Sequence, residues 1–108
     1  MIYSIYHPIS GKINHDFEPQ MYEKIFQVEA KSLEHAFMLS QNDFNPEYET
    51  LGVRSTSIGD IIQSEEDNLT LSCNLVKGTG FQNVPSTWLT YFDEAYLLPD
   101  PANYIYAD

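Results

Sequence analysis

Arg54-Ser55-Thr56-Ser57-Ile58-Gly59-Asp60-Ile61-Ile62 is the stretch whose reading decides the fold. It holds the only arginine of the chain, the only Gly-Asp pair, and the sharpest passage from polar to apolar residues. Thr56 and Ile58 alternate with small polar neighbours, as at the end of a strand. Gly59 has no Cβ and takes φ > 0 freely, and Asp60 can accept from nearby backbone amides, so Gly59-Asp60 reads as a tight turn. Ile61-Ile62 then opens a β-branched run that favours a strand. Arg54, Ser57, Gly59 and Asp60 thus form a structural motif, with Arg54 expected to pair with an acid and Ser57 to Asp60 to make a self-satisfied turn.

Downstream, Ser64-Glu65-Glu66-Asp67-Asn68 is polar, charged and flanked by β-formers, as in a hairpin loop. Leu69, Leu71, Cys73 and Leu75 alternate with Thr70, Ser72 and Asn74, the pattern of a half-buried strand. Lys77-Gly78-Thr79-Gly80 follows as a turn and Phe81 to Val84 as a short closing strand. The lysine precedes the glycines, the wrong order for a phosphate-binding loop.

Upstream, Ile2 to His7 predicts a first strand, placed near an edge by Pro8. Ile9 to Pro19 carries turn chemistry. In Tyr22 to Ala30 the alternation puts Lys24, Phe26, Val28 and Ala30 on one face, with Phe26, Val28 and Ala30 carrying the core side. Ser32 is an N-cap, Glu34 suits the first turn of a helix, and Leu33, Ala36 and Phe37 form its apolar stripe. Asn42-Asp43 and Pro46 are expected to end that helix, with His35 near its start in a surface or capping role. Phe44 to Gly52 then reads as an acidic connection. Ser86 to Leu98 can form a second short helix, and the segment beyond Pro85 has six large aromatics, four acids and no Lys or Arg.

These readings give an α+β fold: an antiparallel sheet of four to five strands with one helix packed across it. Residues 1–84 form the core domain and 85–108 an acidic aromatic C-terminal extension. A chain of 108 residues supports one modest core. The single Cys73 excludes an internal disulfide and reads as a buried hydrophobe of a reducing compartment. No apolar run approaches a membrane span, and Met1-Ile2-Tyr3 opens no signal peptide, so a cytoplasmic protein is expected. His7, His15 and Asp16 lack the further ligands a zinc site needs, so no metal is expected. No cofactor motif is visible.

Charge is the outlying property. Sixteen acids face five bases, for a formal net charge of −11, above the magnitude of about 2–8 that solubility of a small domain asks for. Such a surface repels nucleic acid and anionic membrane and attracts basic protein surfaces. The partner-binding candidates are Glu65, Glu66 and Asp67, and an acidic aromatic set of Trp88, Tyr91, Asp93, Glu94, Tyr96 and Asp100. The second set is the stronger, since it combines charge with aromatic anchors.

Three segments together resemble a known family. They are Val28-Glu29-Ala30-Lys31-Ser32-Leu33-Glu34-His35-Ala36-Phe37-Met38-Leu39-Ser40-Gln41-Asn42, the Arg54–Ile62 stretch, and Gly80-Phe81-Gln82-Asn83-Val84. The pattern is similar to the YodL-like domain of small proteins of phages and mobile genetic elements. Its Arg-Ser-x-Ser-x-Gly-Asp-x-Ile part is the specific one, and the likeness spans residues 23–84. The resemblance implies a mobile-element setting with a counter-defence role, and brings no established catalytic residues. The expected function is non-enzymatic: inhibition of a host nucleic-acid-handling defence protein, as an anti-CRISPR or anti-restriction protein acting by DNA mimicry. The alternative is a small-ligand or nucleotide-sensing domain using Arg54 and its neighbouring hydroxyls. Direct nucleic-acid binding is not expected, and a homo-oligomer is left open.

Overall fold

In the computed structural model, which describes residues 1–67, 69–85 and 87–88, Ile61 and Ile62 open the middle strand of a five-stranded antiparallel sheet. The strands are β1 (Ile2–Pro8), β2 (Tyr22–Glu29), β3 (Ile61–Glu66), β4 (Leu69–Lys77) and β5 (Gly80–Val84), in the spatial order β2-β1-β3-β4-β5. Two helices, α1 (Leu33–Leu39) and α2 (Pro46–Glu49), lie between β2 and β3 in sequence. The sheet, its antiparallel pairing and the helix over residues 33–39 agree with the sequence reading.

Each face of the sheet carries its own apolar cluster. Register sets Tyr6 opposite Ile61 and Ile61 opposite Leu75, so these share a face. With Tyr22, Cys73 and Val84 they form one cluster, against which Phe17 and Trp88 pack. Ile5 stands opposite Ile62 on the other face. There Tyr3, Ile5, Ile62 and Val76 meet Ala30 and Ala36, with Leu33 and Phe37 of α1 alongside. The Ile5, Ile61 and Ile62 side chains are wholly buried, and each contributes about 2 kcal/mol by leaving water.

Six expectations need correction. The hairpin loop expected over Ser64 to Asn68 starts later, because Ser64, Glu65 and Glu66 continue β3 and pair with β4. β1 is an interior strand, flanked by β2 and β3, and not near an edge. Pro8 is tolerated because pairing with β3 ends at Tyr6, leaving Pro8 opposite Tyr22 alone. β4 is not half-buried throughout: Cys73, Asn74, Leu75 and Val76 are all buried, while Leu69 and Leu71 are exposed. Its alternation breaks where Ser64 faces Ser72 but Glu65 faces Thr70, which makes Leu71 the extra residue of a bulge. A second bulge inserts Ile25 in β2, so Lys24 turns out to solvent while Phe26 and Val28 pack inward.

Pro46 begins a helix where one was expected to end. Asn45 caps α2 by accepting from the Glu47 amide, and Pro46 takes the first turn, where its missing N–H costs nothing. Thr56 and Ile58 do not end a strand. The backbone of residues 53–56 is bonded instead by side chains from the preceding segment: Asn42 donates to the Val53 carbonyl, Tyr48 to that of Arg54 and Gln41 to that of Thr56. At α1, Ser32 accepts from the His35 amide while His35 Nδ1 accepts from the Lys31 amide, a reciprocal cap. The short helix expected over residues 86–98 lies, except for Thr87 and Trp88, outside the described residues.

Of the glycines, Gly59 is the most closely packed. Its φ is +90°, and a Cβ placed on it would lie 2.1 Å from the Asn14 carbonyl oxygen. Gly11 has a similar φ of +80° with nothing within 4 Å of such a Cβ. Gly59→Ala is therefore expected to lose at least about 3 kcal/mol in urea denaturation, because strain and collision add. Gly11→Ala, with strain alone, loses about 1 kcal/mol. Equal losses would remove the packing role assigned to Gly59.

Candidate functional site

The Arg54–Ile62 stretch closes on itself through Asp60, which is wholly buried. Arg54 grips it with two nitrogens, Nη1 to Oδ2 at 2.7 Å and Nη2 to Oδ1 at 2.9 Å. The Ser57 amide donates to Oδ2 at 2.7 Å. His7, from the end of β1, places Nε2 3.3 Å from the same oxygen and 3.1 Å from Thr56 Oγ1. Burial pushes the Asp60 carboxyl above its ordinary range, while the Arg54 fork and the Ser57 amide oppose that shift. The Asp60 bond in turn raises Arg54, which keeps its charge.

A glycine-adjacent scaffold holds this cluster from the other side. Tyr22 donates its hydroxyl hydrogen bond to the Gly59 carbonyl, and Asn14 donates to the Tyr22 oxygen and to the Glu18 carbonyl, both at 2.8 Å. Asn14 Oδ1 accepts from Gln20 Nε2 at 2.8 Å. Burial pushes the Tyr22 phenol up to about 12, so it stays protonated. The Gly59 amide donates to the Val76 carbonyl and the Val76 amide to the Asp60 carbonyl, which ties the turn to β4. Residues 14, 22, 54 to 60 and 76 thus meet at one point.

Histidine, threonine and aspartate together invite a catalytic reading, and the geometry argues against it. A nucleophile–base–acid relay uses both ring nitrogens, one toward each neighbour. Here Thr56 and Asp60 crowd the same Nε2. Facing an acceptor-only carboxylate, Nε2 is assigned the ring proton, so it is not free to take one from Thr56. Burial and the nearby Arg54 charge lower the His7 pKa to about 3, so the ring is neutral at physiological pH. Thr56 and His7 are both buried, so no substrate reaches them. The cluster positions the loop.

The two surfaces predicted to bind a partner are placed separately. Glu65 and Glu66 end β3 and Asp67 follows in the turn with φ +54°. Glu65 accepts from the Ser4 hydroxyl at 2.7 Å, which fixes its carboxylate, while Glu66 and Asp67 are exposed. Trp88 packs against the Tyr6–Ile61–Leu75 cluster, half-buried. Glu65 lies opposite Ile2 and that cluster opposite Tyr6, about 13 Å further along the strands. Trp88 is therefore part of the core cover and not an exposed anchor beside Glu65. Tyr91, Asp93, Glu94, Tyr96 and Asp100 lie outside the described residues.

Among the described residues, the carboxylates in ion pairs are Asp60 and Glu29, the latter 3.9 Å from the terminal amine. Glu65, Glu66 and Asp67 have no cation within pairing distance. Cys73 is buried and its thiol is pushed up by that burial, so it is not a reactive nucleophile. Among the described residues no three His, Cys, Asp or Glu converge on a point that could hold a metal ion, and no helix is long and apolar enough to cross a membrane. Compared with known protein families, curated proteins and solved structures, the chain matches none.

Asn14, Tyr22 and Tyr48 are the cluster members that sequence reading passed over, and His7 was named there as a metal-site candidate and set aside. His7 and Tyr22 sit at the ends of alternating strands, and Asn14 in a loop whose composition signals only turns. Nothing local announces a buried polar residue. Two outcomes follow. Below pH 6.5 an unfolded His7 takes up a proton that the folded one refuses until about pH 3, so acidification favours unfolding across that window. Its contribution is on the order of 4 kcal/mol. His7→Gln is expected to flatten this pH slope in denaturant titrations, and an unchanged slope would contradict a neutral buried His7. Asp60→Asn, which strips the charge facing Arg54, is expected to cost about 3 kcal/mol by thermal melting.

Proposed function

We propose that this is a non-catalytic binding protein of a phage or mobile element that inhibits a host defence protein acting on nucleic acid. It does so in the host cytoplasm by offering carboxylates to the basic surface that would otherwise hold DNA or RNA. The observation that carries the reading is the unneutralised acidic surface. The one guanidinium is spent on Asp60 inside the loop, and the carboxylates of the β3–β4 hairpin face no cation. Glu65, Glu66 and Asp67 follow one another at the end of β3, with the Glu65 carboxylate held by the Ser4 hydroxyl and the other two exposed. Such a run of carboxylates steers encounter with a basic groove and competes with a polyanion for it. The likeness to YodL-like proteins in the Arg54–Ile62 pattern supports the same setting.

The nucleotide-sensing alternative is weaker on geometry. Arg54 uses both terminal nitrogens on Asp60, the Ser55 hydroxyl accepts from the Asn42 amide, and Thr56 faces His7. A phosphate arriving there would displace a wholly buried carboxylate.

The test is to titrate the protein into DNA-cleavage reactions run by a panel of restriction enzymes and CRISPR effector nucleases. Inhibition of at least one is expected, weakening as salt rises from about 50 to about 300 mM, because each charge contact is screened. The protein alone should not retard duplex DNA at about 150 mM salt. Retardation of the duplex by the protein itself, or no inhibition across the panel at low salt, would overturn the reading.

A further inference from the structure

β4 outruns its neighbour. It is nine residues long and β5 five, and the two pair only between Cys73 and Lys77. Among the described residues, the outer edge of β4 from Leu69 to Ser72 has no strand beside it. Such an edge presents unpaired backbone donors and acceptors, and folded proteins commonly blunt it with lysine, proline or an inward charge. None of these stands in Leu69-Thr70-Leu71-Ser72; the bulge at Leu71 is the one blunting device along it. Leu69 is 68% and Leu71 52% exposed. A hollow of about 390 Å³ lies alongside, lined by Thr70, Leu71, Ser72, Cys73, Asn83 and Val84. The end of β5, at Asn83 and Val84, bounds this hollow on one side.

Charge decides what fits. Glu66 pairs with Leu69 in the ladder, so its exposed carboxylate lies one strand in from the open edge, with Asp67 at the turn, while Glu65 is held toward β1 by the Ser4 hydroxyl. A strand added outside β4 would run about 10 Å from β3, within reach of a lysine or arginine side chain. The chain's own residues 89–108 contain four acids and no Lys or Arg, and a second copy carries the same −11. Both are repelled from this hairpin.

Resting on the inhibitory reading above, we propose that the Leu69–Ser72 edge is where the partner docks. The occupant is an extended segment of the partner that alternates basic and apolar residues and continues the line of β5. Backbone bonds to the edge and apolar contact with Leu71 and Val84 hold it, and the exposed Glu66 and Asp67 select its charge.

The probe is a ten-residue peptide of alternating lysine and valine, added to the isotope-labelled full chain and followed by backbone amide NMR. Saturable shifts are expected at Leu69, Thr70, Leu71 and Ser72, with affinity falling about tenfold between about 50 and about 200 mM salt. Leu69→Ser with Leu71→Ser should weaken binding at least about tenfold while leaving the melting temperature unchanged, since both side chains are exposed. Glu66→Gln with Asp67→Asn should reduce the salt dependence. Shifts centred elsewhere, equal binding of a glutamate–valine peptide, or a dimer or slow-exchanging 69–72 amides in the peptide-free chain would overturn the proposal. Undiminished nuclease inhibition by the double serine variant would also overturn it while leaving the inhibitory function standing. Peptide binding at 69–72 by a protein that inhibits no nuclease would do the reverse.

Discussion

The carboxylate of Asp60 is the constraint on which the rest of this structure depends. Burying it is unfavourable unless its oxygens are answered, and the donors come from two separate parts of the chain: Arg54 and Ser57 locally, His7 from the first strand. Meeting that demand fixes where β1 ends and how the 53–60 segment folds. Through the neighbouring glycine it also fixes how close residue 14 comes. The isoleucines that follow are thereby delivered to the middle of the sheet with one face each. A sheet with both faces covered and few residues to cover them needs such a device, because hydrophobic burial alone does not choose among nearby registers.

The same constraint shapes the surface. Spending the only arginine on an internal carboxylate leaves the exterior with lysines alone as counter-charge. One of those, Lys77, sits over the Phe17 ring at 4.4 Å and near Gln82, not beside an acid. Internal satisfaction and external acidity are thus two sides of one allocation. A protein selected only for solubility would gain little from leaving the acids of a hairpin unopposed, since neighbouring like charges repel one another.

Sequence reading was strongest where a local signal has one cause. Gly59 before Asp60, the Ser32 cap, the Gly78–Gly80 turn and the Ile61–Ile62 run each depend on backbone preferences within a few residues, and all appear where expected. It failed where the cause is distant. Pro8 looks like an edge marker until β3 is seen to stop two residues short of it. The Leu69–Leu75 alternation looks uniform because a bulge is a property of two strands and is invisible in one. Pro46 follows Asn45, a capping pair in hindsight, yet a four-residue helix has no periodicity to detect. In the candidate site, an acid partner for Arg54 and a turn over Ser57 to Asp60 were legible, but that Asp60 is that partner was not, since many acids compete for one arginine. Asn14 and Tyr22 were not, since they reach Gly59 across the fold.

The strand order carries a consequence for synthesis. β1 lies between β2 and β3, so the β1–β2 hairpin emerges from the ribosome with one side of β1 finished and the other bare. It stays bare until residues 61–66 follow, more than thirty positions after β2 ends. At typical elongation rates of about 5–20 residues per second, that is an interval of several seconds. For that interval the nascent chain exposes Tyr3, Ile5 and an unpaired strand edge together. Production of this protein is accordingly most vulnerable while it is being made, and a slower ribosome lengthens the window without altering the finished molecule.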